Sequence, residues 1–344
     1  MRDPLPIKEV SPPLAPWLLA CAAMVAIMVA LGGLTRLTGS GLSMVQWNPH
    51  HILPPLTQAQ WDEAFALYRA TPEYQWVNTA MDLAGFKGIF WLEYIHRLWG
   101  RLIGVVFALP LVAFAIKGAI HRPLARRLGL LLALGAAQGG MGWYMVASGL
   151  VDRPEISHFR LAVHLVLALI ILALLLWTAL DIARPMALPA ADSRKARWAL
   201  AGLLALAMTT IIWGAFVAGL HAGHIHNSFP LMGGAWFPPE GLRLNPPLRN
   251  AVENPAAVQY VHRVLALTSL ACVTLFGLWS RTARLPPAAR RPLALAALFV
   301  WLQAGLGIAT LLLAVPVPLA ALHQMGAVVL SALLTWGLHT VRSG

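Results

Sequence analysis

The chain has 344 residues, of which 59% are hydrophobic and only 11% carry a charge. Soluble domains carry about 25% charged residues, so this composition excludes a water-soluble globule and indicates an integral membrane protein. The formal net charge of +12 would suggest nucleic acid in a soluble protein. In a membrane protein, basic residues collect in cytoplasmic loops, and we therefore expect no nucleic-acid partner.

Eight apolar stretches are long enough to cross about 30 Å of hydrocarbon, which takes about 20 helical residues. We place these spans at residues 17–35, 89–116, 126–148, 159–180, 198–218, 257–279, 293–314 and 319–340. The first span has no convincing cleavage site, so we interpret it as a retained helix rather than a signal peptide. The predicted fold is an all-α integral membrane protein. Cys21 and Cys272 lie inside spans, and we expect them to be packed side chains rather than ligands or a disulfide.

Basic residues concentrate in the connections between spans 2 and 3, 4 and 5, and 6 and 7, whereas the connections 36–88, 149–158 and 219–256 mix both signs. By the positive-inside rule, we expect the basic loops and both termini to be cytoplasmic. The two long loops then face the opposite side as partly ordered covers. The predicted location is a bacterial cell inner membrane, which the chain crosses several times.

The second half of the chain repeats motifs of the first. Glu93-Tyr-Ile-His-Arg97 opens span 2, and Gln259-Tyr-Val-His-Arg263 opens span 6. Gln138-Gly-Gly-Met-Gly142 corresponds to Gln303-Ala-Gly-Leu-Gly307, and both His164 and His323 precede a tryptophan by 13 positions. We predict two four-helix bundles of the same topology, 17–180 and 198–340, joined by a cytoplasmic linker at 181–197.

One histidine falls in each of spans 2, 4, 6 and 8, and a histidine within a membrane is a functional candidate. Counted from the predicted span ends, all four lie at a similar depth, about 7–12 Å below the boundary. Two imidazoles facing across a four-helix bundle are the arrangement that binds haem iron. The alternative is four unrelated hydrogen bonds between helices. The four candidates are His96, His164, His262 and His323. Zinc fits less well, because it needs three or four ligands close together.

Other residues near these histidines have two interpretations each. Small residues in spans 3 and 7 would let a flat ring approach the backbone, or would serve ordinary helix packing; they are Gly139, Gly140, Gly142, Gly305 and Gly307. Basic residues near the interface would pair with haem propionates or extend to lipid headgroups; they are Arg36, Arg97, Arg101 and Arg263.

Glu93 is the main difference between the halves, since the matching residue is Gln259. A carboxyl one turn from His96 can exchange a proton, whereas an amide cannot. We therefore expect chemistry in the first half and a permanent, electron-transferring haem in the second. The alternative is an interfacial Glu93 paired with Arg97 or Arg101.

Three segments carry a resemblance to the haem A synthase family, and the likeness extends over about residues 17–340. The segments are Gly32–Ser43, Glu93–Arg101 and Ala218–Met232. The resemblance implies an oxidoreductase that converts the C8 methyl of haem O to a formyl group, giving haem A for terminal oxidases. It implies haem b on His262 and His323, substrate haem O on His96 and His164, and a catalytic Glu93. Some members carry a cysteine pair in the first outer loop, and this chain resembles the type without it.

Under this hypothesis, haem O enters from the lipid, and partners include the membrane itself and haem O synthase or oxidase assembly factors. Two other functions are open from the residues alone. A dihaem b-type electron carrier would modify no porphyrin, and a transporter would bind no haem. The roles of His221, His224 and His226 in the fifth-span exit are also open.

Overall fold

The computed structural model describes residues 14–46, 53–150, 156–183 and 190–342. Within these ranges the chain is all-helical, and eight of its helices are long and apolar enough to cross a membrane. They are α1 (Leu14–Leu37), α2 (Leu83–Ile116), α3 (Arg122–Gly149), α4 (His158–Ala183), α5 (Ser193–Gly219), α6 (Pro255–Thr282), α7 (Pro287–Leu312) and α8 (Val317–Thr340). The predicted fold class is confirmed.

Several helices extend beyond the predicted spans. The start of α2 was placed six residues too late, because its first turns lie outside the apolar run. Asp82 caps them by accepting a hydrogen bond from the Gly85 amide at 2.8 Å, and Phe86 and Phe90 pack against Trp61. The predicted linker 181–197 is also too long, since α4 ends at Ala183 and α5 begins at Ser193. Residues 184–189 of that linker lie outside the described ranges.

The helices of each half form a ring. In the first half, α1 and α3 each contact both α2 and α4. In the second half, α5 and α7 each contact both α6 and α8 in the same arrangement. The halves meet where α1 and α4 pack against α5 and α8. The duplication of the sequence stays a prediction.

The two rings differ in one contact. In the second half α6 and α7 pack along each other, whereas α3 lies against α4 and touches α2 only sparsely. The buried residues of α3 accordingly form one stripe, and most of its remaining surface is exposed. The first ring is therefore open between α2 and α3.

Two loop segments, the first comprising the described residues 38–46 and 53–82 and the second residues 220–254, lie at one end of the molecule, here called the loop end. The first segment carries the helices Gln58–Arg69 and Pro72–Trp76, and the second carries short turns of helix. Thr57 and Gln60 form a capping box at the start of the first of these helices. An aromatic cluster then packs this helix onto the start of α2, through Trp61, Tyr68, Phe86, Phe90 and Tyr94. The loop end thus covers the mouth of the first ring.

At the opposite end of the molecule, Asp181 on α4 links several helices through its carboxylate. Its carboxylate accepts hydrogen bonds from Arg127 of α3 and from Arg342 after α8. It also contacts Nε2 of His339 at 3.0 Å, and the His339 ring packs edge-on against Trp177 at 5.1 Å. This cluster joins helices of both halves.

Candidate functional site

The second-half histidines face each other across their ring. The ring centres of His262 and His323 are 6.5 Å apart, and their planes cross at 85°. Bonds from an imidazole nitrogen to a divalent metal are about 2 Å long, so rings on opposite sides of one ion have centres about 6–6.5 Å apart. The spacing of this pair therefore fits the two axial positions of haem iron.

In the first half, His96 and His164 are also close enough to interact electrostatically. His164 Nδ1 is buried and has no hydrogen-bond partner in the described part of the chain. A buried polar nitrogen without a partner is costly unless a ligand satisfies it. This pair also suits a metal ligand, although its helix positions differ from the prediction. His96 comes 13 residues after the start of α2, whereas the others come six or seven residues after theirs.

Hydrogen bonds fix which nitrogen carries the proton in two of the four rings. Nδ1 of His262 donates to the main-chain oxygen of Thr210 at 3.1 Å. Nδ1 of His96 lies 3.2 Å from Thr35 Oγ1, whose own hydrogen goes to the oxygen of Leu31 at 2.8 Å. Thr35 therefore accepts from His96. In both rings Nε2 keeps its lone pair, which is the form that binds a metal.

Each histidine ring lies against a glycine of the preceding helix. A Cβ built on these glycines would approach the Cε1 atom of the ring to between 2.7 and 3.6 Å. The pairs are Gly32 and His96, Gly142 and His164, Gly214 and His262, and Gly307 and His323. Contacts below 3.4 Å are tighter than ordinary van der Waals distance, so the last two pairs leave no room for a side chain.

The predicted glycines divide into two groups. Gly142 and Gly307 seat imidazole rings, whereas Gly139, Gly140 and Gly305 are exposed and have no described atom within 4 Å of an added Cβ. For these three glycines both interpretations, close approach of a flat ring and helix packing, stay predictions.

Two glutamines hold the main chain at the histidines of α4 and α8. Gln138 Nε2 donates to His164 O at 3.1 Å and lies 3.3 Å from its Nε2. Gln303 Nε2 donates to His323 O at 2.9 Å and lies 3.2 Å from its Nδ1. Both amides thus position a histidine, which explains why the Gln-x-Gly-x-Gly pattern recurs.

Glu93 is buried and fully hydrogen-bonded. Its Oε2 accepts from Ser43 Oγ at 2.6 Å and from the Met44 amide at 2.8 Å. Its Oε1 accepts from Nε and Nη2 of Arg97 at 2.9 and 2.5 Å. The pairing with Arg97, which was the alternative interpretation of Glu93, is therefore present. Four donor atoms, two of them on the Arg97 guanidinium, thus occupy both oxygens of the Glu93 side chain.

The second half uses the same two positions in the same way. Gln259 Nε2 donates to Ala222 O at 2.9 Å and to His226 O at 3.2 Å. Arg263 donates to Ser228 O and His226 O, both at 2.8 Å. In each half, these residues fasten a loop-end segment over the start of the histidine-bearing helix.

The remaining candidate side chains lie nearby. Arg36 reaches across the halves, donating to the carbonyl oxygens of Ala218 and Gly219 at 3.1 and 3.3 Å and contacting His221 Nε2 at 2.9 Å. Arg101 is partly buried one turn beyond Arg97.

The loop-end histidines have separate surroundings. His226 Nε2 lies 2.7 Å from Glu240 Oε1, and His224 is exposed. His50 and His51 lie outside the described ranges.

Comparison with known proteins covers nearly the whole chain. The family model for "Cytochrome oxidase assembly protein" (COX15-CtaA) matches residues 15–335. The chain is 51% identical to the heme A synthase of Paramagnetospirillum magneticum, over 94% of this chain and 92% of that protein. It is 47% identical to the heme A synthase of Nitrosospira multiformis, over 97% of this chain and 94% of that protein. It is 41% identical to heme A synthase COX15 of Homo sapiens, over 98% of this chain and 85% of that protein.

The chain belongs to the COX15-CtaA family. The matched residues include all four histidines and Glu93. The family resemblance of the sequence is thus confirmed, while the role of each residue stays a prediction.

Several residues of this COX15-CtaA site were not found from sequence. Thr35 and Thr210 orient rings, and Ser43 binds Glu93. Their partners lie 50 to 61 positions away in sequence, so no local pattern assigns these contacts, although Thr35 and Ser43 fall within the segment Gly32–Ser43 that resembles the family. Gly32 and Gly214 seat rings by the same kind of distant contact. The glutamines had a usable signal, because they recur one turn before a ring-seating glycine.

Proposed function

We propose that this member of the COX15-CtaA family is a haem A synthase, an oxidoreductase that converts the C8 methyl of haem O to a formyl group. The observation that carries the proposal is similarity over more than nine-tenths of the length of bacterial proteins named heme A synthase. The facing imidazoles of the second half add independent support, since their spacing suits haem iron.

The two halves divide the work. We assign haem b to the second bundle, 198–340, with His262 and His323 as its ligands; a haem b bound there supplies one-electron transfer. We assign substrate haem O to the first bundle, 17–180, with His96 and His164 on its iron. The sparse contact between α2 and α3 supports this assignment, because a substrate with a long apolar tail needs a way in from lipid.

Glu93 acts as a fixed negative charge in this proposal. Its four hydrogen bonds hold it one turn from His96, where a carboxylate stabilises positive charge that develops as the methyl carbon is oxidised. Proton exchange at Glu93 would require one of these bonds to break, so the geometry favours the electrostatic role over the acid–base role.

The arginines chiefly hold the covers of the two sites. Arg97, Arg263 and Arg36 already donate hydrogen bonds to main-chain oxygens. A haem propionate that paired with one of these guanidinium groups would therefore share it with a main-chain oxygen. Pairing of propionates with Arg36, Arg97, Arg101 or Arg263 stays part of the proposal.

We place the protein in a bacterial inner membrane, with the loop end on the non-cytoplasmic side and both termini in the cytoplasm. The basic residues between α2 and α3 and between α6 and α7 support this orientation. Haem O is the substrate, lipid surrounds the helices, and haem O synthase or oxidase assembly factors are the protein partners that we propose.

The test combines spectroscopy with pigment analysis. The purified protein, given haem O and a one-electron acceptor, is expected to form haem A and to retain haem b, both identified by chromatography of extracted pigments. We expect His262→Ala to lose haem b. His96→Ala and Glu93→Gln should retain the haem b spectrum and form no haem A, because they alter only the substrate half.

The matched control is His224→Ala, which removes an exposed loop-end histidine and should keep both pigments. A wild-type protein that binds two haems but never modifies haem O would contradict the proposal and identify a dihaem electron carrier. A protein without any Soret absorption would contradict both and favour a transporter.

A further inference from the structure

A second buried acid, Glu73, lies in the loop end above the first ring. It belongs to the short helix Pro72–Trp76, and only 8% of its surface is exposed. Its Oε2 atom is buried and has no hydrogen-bond partner among the residues that the structure describes. A buried carboxylate oxygen without a donor is costly in the charged form, so this position favours an acid that carries a proton.

The groups around Glu73 come from three elements. Tyr68, which is fully buried in the preceding helix, hydrogen-bonds to Glu73 and accepts from Asn78 Nδ2 at 2.8 Å. Glu93 of α2 and Arg36 at the end of α1 both act on it electrostatically. Glu73 therefore lies within electrostatic reach of the substrate half, yet outside the membrane-spanning helices.

These groups set its proton affinity. Burial raises the pKa of Glu73 from 4.5 to about 7, the negative charge of Glu93 pushes it the same way, and Tyr68 and Arg36 oppose the shift. A carboxyl with a pKa near the operating pH is suited to proton transfer. At Glu93, by contrast with the unpartnered Oε2 of Glu73, four donor atoms already occupy both oxygens.

We propose that Glu73 is the proton-exchange residue of the first-half site, taking up protons released beside Glu93 and passing them to water at the loop end. The inference rests on the proposed function: with water as the oxygen donor, conversion of the methyl to a formyl group releases four electrons, which leave through the haem b assigned to the second half, and four protons. Each proton forms an O–H bond at Oε2 of Glu73, and that bond breaks when water accepts the proton.

The first experiment measures haem A formation from haem O across pH 5 to 9, in steps of about half a unit. The wild-type rate should change with a midpoint near 7. Glu73→Gln should lower the rate about tenfold to a hundredfold and abolish that transition. The matched control, Glu63→Gln, changes an exposed acid of the neighbouring helix and should leave both rate and transition unchanged.

Two further measurements separate proton exchange from a packing role. Tyr68→Phe removes a group that lowers the pKa of Glu73, so the transition should move to higher pH. Infrared difference spectra should show a protonated-carboxyl band that titrates near pH 7 in the wild type and is missing in Glu73→Gln, whether or not substrate is present.

The inference is overturned if Glu73→Gln keeps the wild-type rate and pH profile, or if no carboxyl band titrates in this range. A wild-type protein that makes no haem A would instead contradict the proposed function, and the infrared titration would still report the protonation of Glu73. The two failures are therefore distinguishable.

Discussion

At the scale of single residues, the positions of the four histidine rings depend on neighbouring glycines, which have no side chain, as well as on hydrogen bonds. A glycine of the neighbouring helix lies under every ring, and an alanine at Gly214 or Gly307 would press on Cε1. Ring orientation is then completed by threonine and glutamine contacts. The positions and orientations of the four rings are thus set by the protein's own contacts.

A glycine substitution tests this placement. Gly307→Ala puts a Cβ 2.7 Å from Cε1 of His323, and overpacking of this kind costs about 1–3 kcal/mol. Haem b binding should weaken by about fivefold to a hundredfold, measured by haem titration of the haem-free protein. Gly305→Ala, two residues away in open space, is the matched control and should bind normally. Equal affinity in both variants would show that the ring is not seated by position 307.

The histidines could be predicted from the sequence because they are costly in a membrane and recur in both halves. The seating glycines could be predicted only in part. Gly142 and Gly307 lie one turn after the glutamines, on the face that meets the next helix, whereas Gly139, Gly140 and Gly305 rotate away from it. Helical periodicity separates Gly140 and Gly305 from the seating positions but does not separate Gly139, which lies three residues before Gly142.

At the scale of the elements, α2 does two tasks along its length. Its middle and inner turns are lipid-facing and apolar, while its first turns carry the aromatic cluster that holds the helix Gln58–Arg69. Hydropathy detects only the membrane-crossing part, so the predicted start at residue 89 missed these turns. The helices Gln58–Arg69 and Pro72–Trp76 of the first loop segment were missed for a similar reason, since they pack on a protein surface and do not cross the membrane.

The buried acid of this cover makes stability depend on pH. The folded-state pKa of Glu73 is about 7 against 4.5 for the free side chain, so folding is favoured most below pH 4.5. Stability falls as pH rises through this interval, by up to about 3 kcal/mol, and the loss is complete above pH 7. Thermal unfolding of the wild type should therefore occur at a lower temperature at pH 8 than at pH 5.

Glu73→Gln should flatten this dependence, because an amide does not titrate, and Glu63→Gln should retain it. Scanning calorimetry in one detergent at several pH values measures the difference. If the melting temperatures of wild type and Glu73→Gln ran parallel across the whole range, Glu73 would not be the buried titrating group.

At the scale of the whole molecule, the halves are joined at both ends. Arg36 binds the carbonyl end of α5 near the loop end, and Asp181 gathers Arg127, His339 and Arg342 at the other end. Between them, α1 and α4 pack against α5 and α8. The order and number of spanning helices could be predicted from hydropathy, but the contacts of Arg36, His339 and Arg342 join residues more than 150 positions apart and leave no local signal.

Asp181→Asn tests the tie at the end away from the histidines. The carboxylate is 21% exposed and serves three partners, so its loss should cost about 1–2 kcal/mol and lower the melting temperature by a few degrees. Glu253→Gln breaks an exposed pair with Arg249 and should cost less than about 0.5 kcal/mol. Haem content should stay normal in both. A melting temperature of Asp181→Asn equal to that of the control would show that the cluster adds no stability.

The first and last spanning helices also meet at Gly33, where a side chain would collide with the amide of Gln324. Gln324 donates to Val29 O at 2.9 Å and directly follows His323, while Gly32, next to Gly33, lies against His96. Both histidine sites therefore share this crossing, and a single extra methyl group at position 33 would affect the packing beside each of them.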